Sequence, residues 1–342
     1  MASLRSAYDP RNAEIGVFPA LLAARKEYGG RKLAIHDADD RKLTYDDIVR
    51  ACFALGHALK KGSKRGEVMG VMLPTGAGAI ITFFAINAYG RVPAMLNFTA
   101  GARNLRAAMA AAKIKRIVTA RAFIEKAELG PLVRELEAEA DFIYLEDVRN
   151  ALNARDKAAG ALGPIMPWAF AVKPNPRDPA VILFTSGTEG DPKGVVLSHF
   201  NIVANVHQVL AHVPEALGLD DVLFNPLPTF HCFGLTAGGL LPLLGGMKSV
   251  LHPSPLQTKI IPKRVQETGA TILFATDTFL NQYIRACAGN ELGKLRFAVC
   301  GAERVRDETR QLVRRRFDVE LLEGYGVTEA SPVIAVNQPG HN

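Results

Sequence analysis

Ala180-Val-Ile-Leu-Phe-Thr-Ser-Gly-Thr-Glu-Gly-Asp-Pro-Lys-Gly-Val-Val-Leu-Ser198 is the stretch from which the rest of the chain can be read. Ala180–Phe184 is a short continuous apolar run, the pattern of a strand buried on both faces. It runs straight into three glycines, three hydroxyl side chains and one lysine. Glycines let backbone N–H groups turn inward around an anion. Thr185, Ser186 and Thr188 add hydroxyl donors, and Lys193 adds a mobile positive charge. The composition is that of a phosphate-holding loop, and it makes a nucleotide the first ligand to consider. The competing reading is a glycine-rich turn between two elements, which the density of hydroxyls beside a lysine argues against.

The loop is not a Walker A loop, which needs Gly-x-x-x-x-Gly-Lys followed by Ser or Thr. Pro192 precedes Lys193 and Gly194 follows it. A conventional P-loop NTPase is therefore disfavoured.

Outward from this loop the chain alternates short apolar runs with helical patterns. Strand-like runs are Glu67–Met72, Arg116–Thr119, Phe142–Leu145, Val222–Phe224, Ser249–Leu251, Thr271–Ala275, Leu295–Val299 and Val319–Leu322. Helical patterns cover Tyr45–Lys60, Ala102–Ala112, Phe200–His212, Pro262–Thr268, Thr278–Ala288 and Arg306–Phe317. Strands separated by helices imply β-α-β units, mostly parallel sheets and an α/β fold. Thr44 before Tyr45-Asp-Asp47 reads as a helix N-cap, and Asp277 is expected to cap the helix after it. With 342 residues, more than one subdomain is expected. The proline-rich stretch Pro164–Pro179 excludes regular helix or central strand and reads as the connection. It divides the chain into 1–165 and 166–342, the second carrying the loop.

The formal net charge of +7 suits anionic ligands. Its densest cluster, Arg310–Arg316, falls on a helical pattern and reads as a solvated face. No basic stretch is interleaved with aromatics as single-strand binding requires, so nucleic acid is not expected. The four cysteines form no Cys-x-x-Cys pair, which points to reduced thiols in the cytoplasm. Val68–Gly90 and Val222–Met247 are free of charge and long enough to span a bilayer. Internal prolines and glycines break both, and each reads as strand, turn and buried helix.

Two later segments share the loop's character. Asn225-Pro-Leu-Pro-Thr-Phe-His-Cys-Phe-Gly-Leu-Thr236 presents Phe230 and His231 from a proline-stiffened turn at a strand's carboxyl end, where open α/β sheets bind ligands. Leu321-Leu-Glu-Gly-Tyr-Gly-Val-Thr-Glu-Ala-Ser331 offers Tyr325 as an aromatic face, Thr328 as a hydroxyl and Glu329 as a carboxylate able to hold Mg²⁺. Cys300-Gly-Ala-Glu303 is a weaker third, small enough for a flat ring to lie on its backbone. The bland readings are a structural histidine, a solvent-facing glutamate and tight turns.

In their order and spacing, Thr185–Gly194, Gly301–Glu303 and Tyr325–Glu329 resemble the phosphate, adenine and magnesium motifs of the adenylate-forming, AMP-binding superfamily. The resemblance covers essentially the whole chain. It implies two stacked β-α-β subdomains, as in the large N-terminal domain of those enzymes. It also implies ATP with Mg²⁺, a fatty acid or other carboxylate, and acyl carrier protein or coenzyme A as thiol acceptor. By resemblance the ATP-binding residues are Thr185, Ser186, Gly187, Thr188, Glu189, Gly190, Lys193, Gly301, Ala302, Glu303 and Tyr325. Thr328 and His231 stand in the catalytic positions, Phe230 and His231 border the substrate, and Glu329 and Thr188 serve the metal. Phe233, Phe274 and Phe279 would line an acyl pocket or simply the core.

Glu189, Pro226–Thr236, Pro253–Leu256 and Leu322–Pro332 further resemble the synthetase portion of bacterial 2-acylglycerophosphoethanolamine acyltransferase/acyl-acyl carrier protein synthetase, whose parent protein sits at the inner membrane. The resemblance further implies a ribose-binding aspartate and a mobile C-terminal domain with a catalytic lysine, beyond Asn342. By that comparison the chain reads as a fragment with little turnover of its own. The alternatives are a long-chain or aryl acyl-CoA ligase and a non-catalytic nucleotide- or acyl-binding module.

Overall fold

The computed structural model describes residues 3–185 and 192–341. Fourteen strands are seen there: β1 (Leu33–His36), β2 (Lys42–Thr44), β3 (Val68–Val71), β4 (Val92–Met95), β5 (Arg116–Thr119), β6 (Asp141–Tyr144), β7 (Pro179–Thr185), β8 (Lys193–Ser198), β9 (Val222–Asn225), β10 (Lys248–Leu251), β11 (Ile272–Ala275), β12 (Phe297–Cys300), β13 (Glu320–Gly326) and β14 (Val333–Val336). They form two sheets, with spatial orders β6-β5-β3-β4-β7-β8 and β14-β13-β12-β11-β9-β10-β1-β2. All pairings are parallel except β1–β2, β7–β8 and β13–β14. The expected α/β architecture with two mostly parallel sheets is what the chain adopts.

Sheet membership changes twice along the chain. β1 and β2 join the second sheet, β3 to β8 make the first, and β9 onward return to the second. A division at residue 165 is thus not a division between sheets.

One continuous core joins the two sheets. It contains Ile35, Leu223 and Ile272 from one, Met69, Val71 and Leu183 from the other, and helices Val17–Tyr28, Tyr45–Leu59 and Ala77–Ala88. Helix Ala77–Ala88 is apolar all round, and ten of its twelve residues are buried. That is the pattern of a core helix rather than an amphipathic one. Its place after β3 explains the charge-free stretch from Val68. Val222–Met247 resolves likewise into β9, a π-helix Phe233–Leu240 and a helical turn Leu241–Leu244. Among the described residues no helix is long and apolar enough to cross a membrane.

Local chemistry sets the helix starts. Thr44 is the N-cap expected there: its hydroxyl accepts from Asp47 N–H at 3.2 Å while Asp47 accepts from Thr44 N–H at 2.9 Å, a reciprocal box. Asp277 does not cap. Thr276 is the N-cap, accepting from Phe279 N–H at 3.3 Å, and Asp277 pairs instead with Arg306 at 2.5 Å. The buried Asp277 carboxylate takes the nearer cation in place of the helix end. Within Arg310–Arg316 two side chains are tied down rather than solvated. Arg310 donates to Leu321 O at 2.6 Å and Arg316 to Ile284 O at 2.6 Å. Pro164–Pro179 contains one helical turn, Pro167–Phe170, led by its own proline.

Candidate functional site

β9, β11, β12 and β13 are parallel neighbours, so the segments following them emerge along one edge of the sheet. After β9 comes Pro226–Cys232, after β12 comes Gly301–Glu303, and at the end of β13 come Tyr325 and the single turn Thr328–Ala330. β8 of the other sheet packs against that turn. Asn205 fixes the strand beyond it: its amide donates to Val333 O at 2.8 Å and accepts from Val333 N–H at 3.0 Å.

Thr185 and Lys193 are register partners across the antiparallel β7–β8 pair, so they face each other at the two ends of the loop. Lys193 is exposed. Ser186, Gly187, Thr188, Glu189 and Gly190 lie outside the described residues.

The Thr328 hydroxyl lies 3.4 Å from Cys232 Sγ, which joins the Thr328–Glu329 turn to the residue after His231. Burial raises the Cys232 thiol pKa, opposed by the bond from Thr328. His231 is exposed at the tip of this turn, and partial desolvation lowers its pKa from the ordinary histidine value. Phe230 packs edge-on against Phe98 at 5.1 Å between centroids, and Phe98 against Phe123 at 4.9 Å. Phe98 follows β4, so this aromatic wall is built from both sheets.

Gly301 sits where a side chain has no room. A Cβ there would come within 3.0 Å of Gly324 O and 3.2 Å of the Phe233 ring. Ala302 takes a left-handed φ of 69° and is exposed, as is Tyr325. These two leave an open surface at the ends of β12 and β13. Glu303 is otherwise engaged: its carboxylate accepts from Thr278 N–H at 2.6 Å and from the Thr278 hydroxyl at 3.0 Å. Burial acts to raise its pKa, but these bonds win and hold it below the usual range. Phe274 is core, 4 % exposed, with Phe233 at 5.3 Å. Phe279 stacks on Tyr283 and packs against the core of the second sheet.

Glu329 is exposed, and among the described residues no group of three His, Cys, Asp or Glu side chains gathers to hold a metal. One exposed carboxylate fits Mg²⁺, which takes one or two protein carboxylates and shares the rest of its shell with phosphates and water. When bound, that ion would neutralise charge on phosphate oxygens.

Sequence reading missed Phe98 and Phe123. The available signal was their place just after β4 and β5, strand ends from which an open α/β sheet presents its ligand-binding loops.

The AMP-binding enzyme family model matches residues 22–342. A 4-coumarate–CoA ligase of Vanilla planifolia is 27 % identical over 331 residues, covering 91 % of this chain and 57 % of the relative. A long-chain-fatty-acid–CoA ligase of Bacillus subtilis is 26 % identical over 332 residues, covering 87 % and 57 %. This chain thus spans a little over half the length of those relatives. The crystal structure of the anthranilate CoA ligase AuaEII with anthranoyl-AMP superposes with a TM-score of 0.83 at 18 % identity, covering 98 % of this chain and 63 % of that one.

Proposed function

The chain belongs to the AMP-binding enzyme family, and from that premise we propose that it carries the ATP- and carboxylate-binding part of an AMP-forming acid–thiol ligase. In the first step a substrate carboxylate oxygen attacks the α-phosphorus of ATP, giving an acyl adenylate and releasing pyrophosphate. In the second a thiol sulfur attacks the acyl carbon and AMP leaves. Negative charge builds on the phosphates, so positioned donors are the main requirement. Thr185 and Lys193 would hold the β- and γ-phosphates together with Ser186 and Thr188, and Thr328 would approach them. Glu329, with Thr188, would hold Mg²⁺. Ala302 and Tyr325 would flank the adenine, with Gly301 and Glu303 shaping that turn. His231 and Phe230 would border the carboxylate.

The observation that carries this reading is the packing of β8 on the Thr328–Ala330 turn. It brings a strand bearing a solvent-facing lysine to the hydroxyl and carboxylate of another sheet, with His231 one residue from the Thr328 contact.

Within this reading a fatty acid is the proposed substrate, with acyl carrier protein or coenzyme A as acceptor. An aryl carboxylate is the second reading, favoured by the name of the Vanilla relative. The test is exchange of labelled pyrophosphate into ATP over a panel of fatty and aryl acids. Exchange that rises with one class of acid supports the ligase and names the class. ATP binding with no dependence on any carboxylate would favour a nucleotide-binding module instead.

A further inference from the structure

The loop that presents Phe230 and His231 is short of backbone donors. Pro226 and Pro228 have no N–H, so Leu227 and Thr229 supply the first two. Both are taken by side chains. Leu227 N–H donates to Asn225 Oδ1 at 3.0 Å, and Thr229 N–H donates to Thr75 Oγ1 at 3.1 Å. The Thr75 hydroxyl in turn donates to Leu227 O at 2.8 Å. Asn225 also donates to Gly234 O at 2.9 Å, closing the far end of the loop. Asn225 is the last residue of β9, so its grip comes from within the same segment. The grip of Thr75 comes from the other sheet, in the turn between β3 and helix Ala77–Ala88.

That turn is itself pinned. Ala77 N–H donates to Asp37 Oδ2 at 3.2 Å, and a Cβ at Gly76 would lie 3.1 Å from Asp37 Oδ1. Asp37 follows β1 of the second sheet. Thr75 is 3 % exposed and therefore has little water to exchange for its two partners.

We propose that Thr75 is a positioning residue for the carboxylate end of the site, its hydroxyl holding Leu227 and Thr229 so that Phe230 stands against Phe98 and His231 against Phe230. The proposal rests on the reading of that loop as the substrate border. Removing the hydroxyl leaves a buried carbonyl and a buried N–H unpaired, and the loop gives way at the point where the other sheet holds it. The consequence falls on the carboxylate and not on ATP, whose proposed partners lie at the β7–β8 hairpin and at and after the ends of β12 and β13.

The experiment compares wild type, Thr75→Val and Thr75→Ser in residues 1–342. Two signals are read: the His231 ring protons by NMR, and the carboxylate KM against the ATP KM in pyrophosphate exchange. Thr75→Val is expected to shift or broaden the His231 signals and to raise the carboxylate KM about tenfold, with the ATP KM within about twofold. Thr75→Ser is expected to restore both. If Thr75→Val does not fold, Thr75→Ala removes the hydroxyl without adding a methyl against the Leu227 carbonyl. A lower melting temperature with unchanged His231 signals and unchanged carboxylate KM would overturn the proposal and leave Thr75 a staple of the fold. If wild type shows no carboxylate-dependent exchange, as a fragment with little turnover of its own would, the NMR comparison alone decides whether Thr75 places His231.

Discussion

Glu303 and Glu329 are carboxylates at strand ends on one edge of one sheet, yet their surroundings assign them different work. Glu303 accepts two hydrogen bonds from Thr278 at the start of helix Asp277–Ala286. It thus serves the orphan N–H groups and the positive end of that helix. Glu329 is exposed and has no hydrogen bond or ion pair among the described residues. Glu303→Gln is therefore expected to lower stability by about 1 kcal/mol, read as a shift in denaturant midpoint. Glu329→Gln is expected to leave that midpoint unchanged within about 0.5 kcal/mol. It should instead raise the Mg²⁺ concentration needed for ATP binding by roughly tenfold, since one charged ligand of the ion is lost. A stability loss at Glu329 with unchanged Mg²⁺ dependence would mark it as a structural residue.

Elements carry a different kind of prediction. Helix His199–His212 begins with a buried histidine whose Nδ1 accepts from Val17 N–H at 3.3 Å, tying it to the start of helix Val17–Tyr28. An imidazole accepting at Nδ1 is not doubly protonated. Desolvation lowers the His199 pKa from 6.5 to about 4, against a weaker opposite pull from Asp178. The sign follows from proton counting. Below pH 6.5 the unfolded chain binds a proton that the folded chain refuses until about pH 4. Stability from this group is thus full above that window and falls as pH drops through it, by on the order of 3 kcal/mol in all. His252, also lowered to about 4 by desolvation, acts in the same direction. His199→Asn, which keeps an acceptor without the titration, should flatten the fall in melting temperature between pH 6.5 and 4. An unchanged slope would place the acid sensitivity elsewhere.

How legible the elements are in the sequence depends on their neighbours. Continuous apolar runs such as Ile272–Ala275 are buried on both faces and announce themselves. β2 and β14 are edge strands of three and four residues with exposed positions, and their pattern is too short and too polar to stand out. β4 contains Pro93 yet runs between β3 and β7. The sheet tolerates a missing donor that a local rule forbids. Asp277 shows the same limit at one residue: an aspartate in a capping position yields to Arg306, the residue just before helix Asp307–Phe317. The family was legible because Thr185–Gly194, Gly301–Glu303 and Tyr325–Glu329 occur in its order and spacing. The packing of Phe98 and Phe123 beside Phe230 was not, because it is assembled between sheets from half-buried residues with no motif of their own.

At the scale of the whole molecule, the site is a product of interleaved connectivity. Because β1 and β2 join the second sheet before the first sheet forms, helices Tyr45–Leu59 and Ala77–Ala88 share one core with both sheets. Tyr45, fully buried, seals that core with a hydroxyl that donates to Leu243 O at 2.6 Å. The same interleaving packs β8 of one sheet, which Lys193 begins, on the Thr328 turn of the other, and lets Thr75 reach the His231 loop. The central claim is that this junction binds ATP. Calorimetric titration of residues 1–342 with ATP and Mg²⁺, wild type against Lys193→Ala, tests it most directly. The account predicts saturable binding by wild type, weakened about 10- to 100-fold in the variant, as expected for one charge-assisted phosphate contact, with the melting temperature unchanged because Lys193 is exposed. Equal ATP affinity in the two proteins, or a variant that loses stability while keeping its affinity, would contradict it.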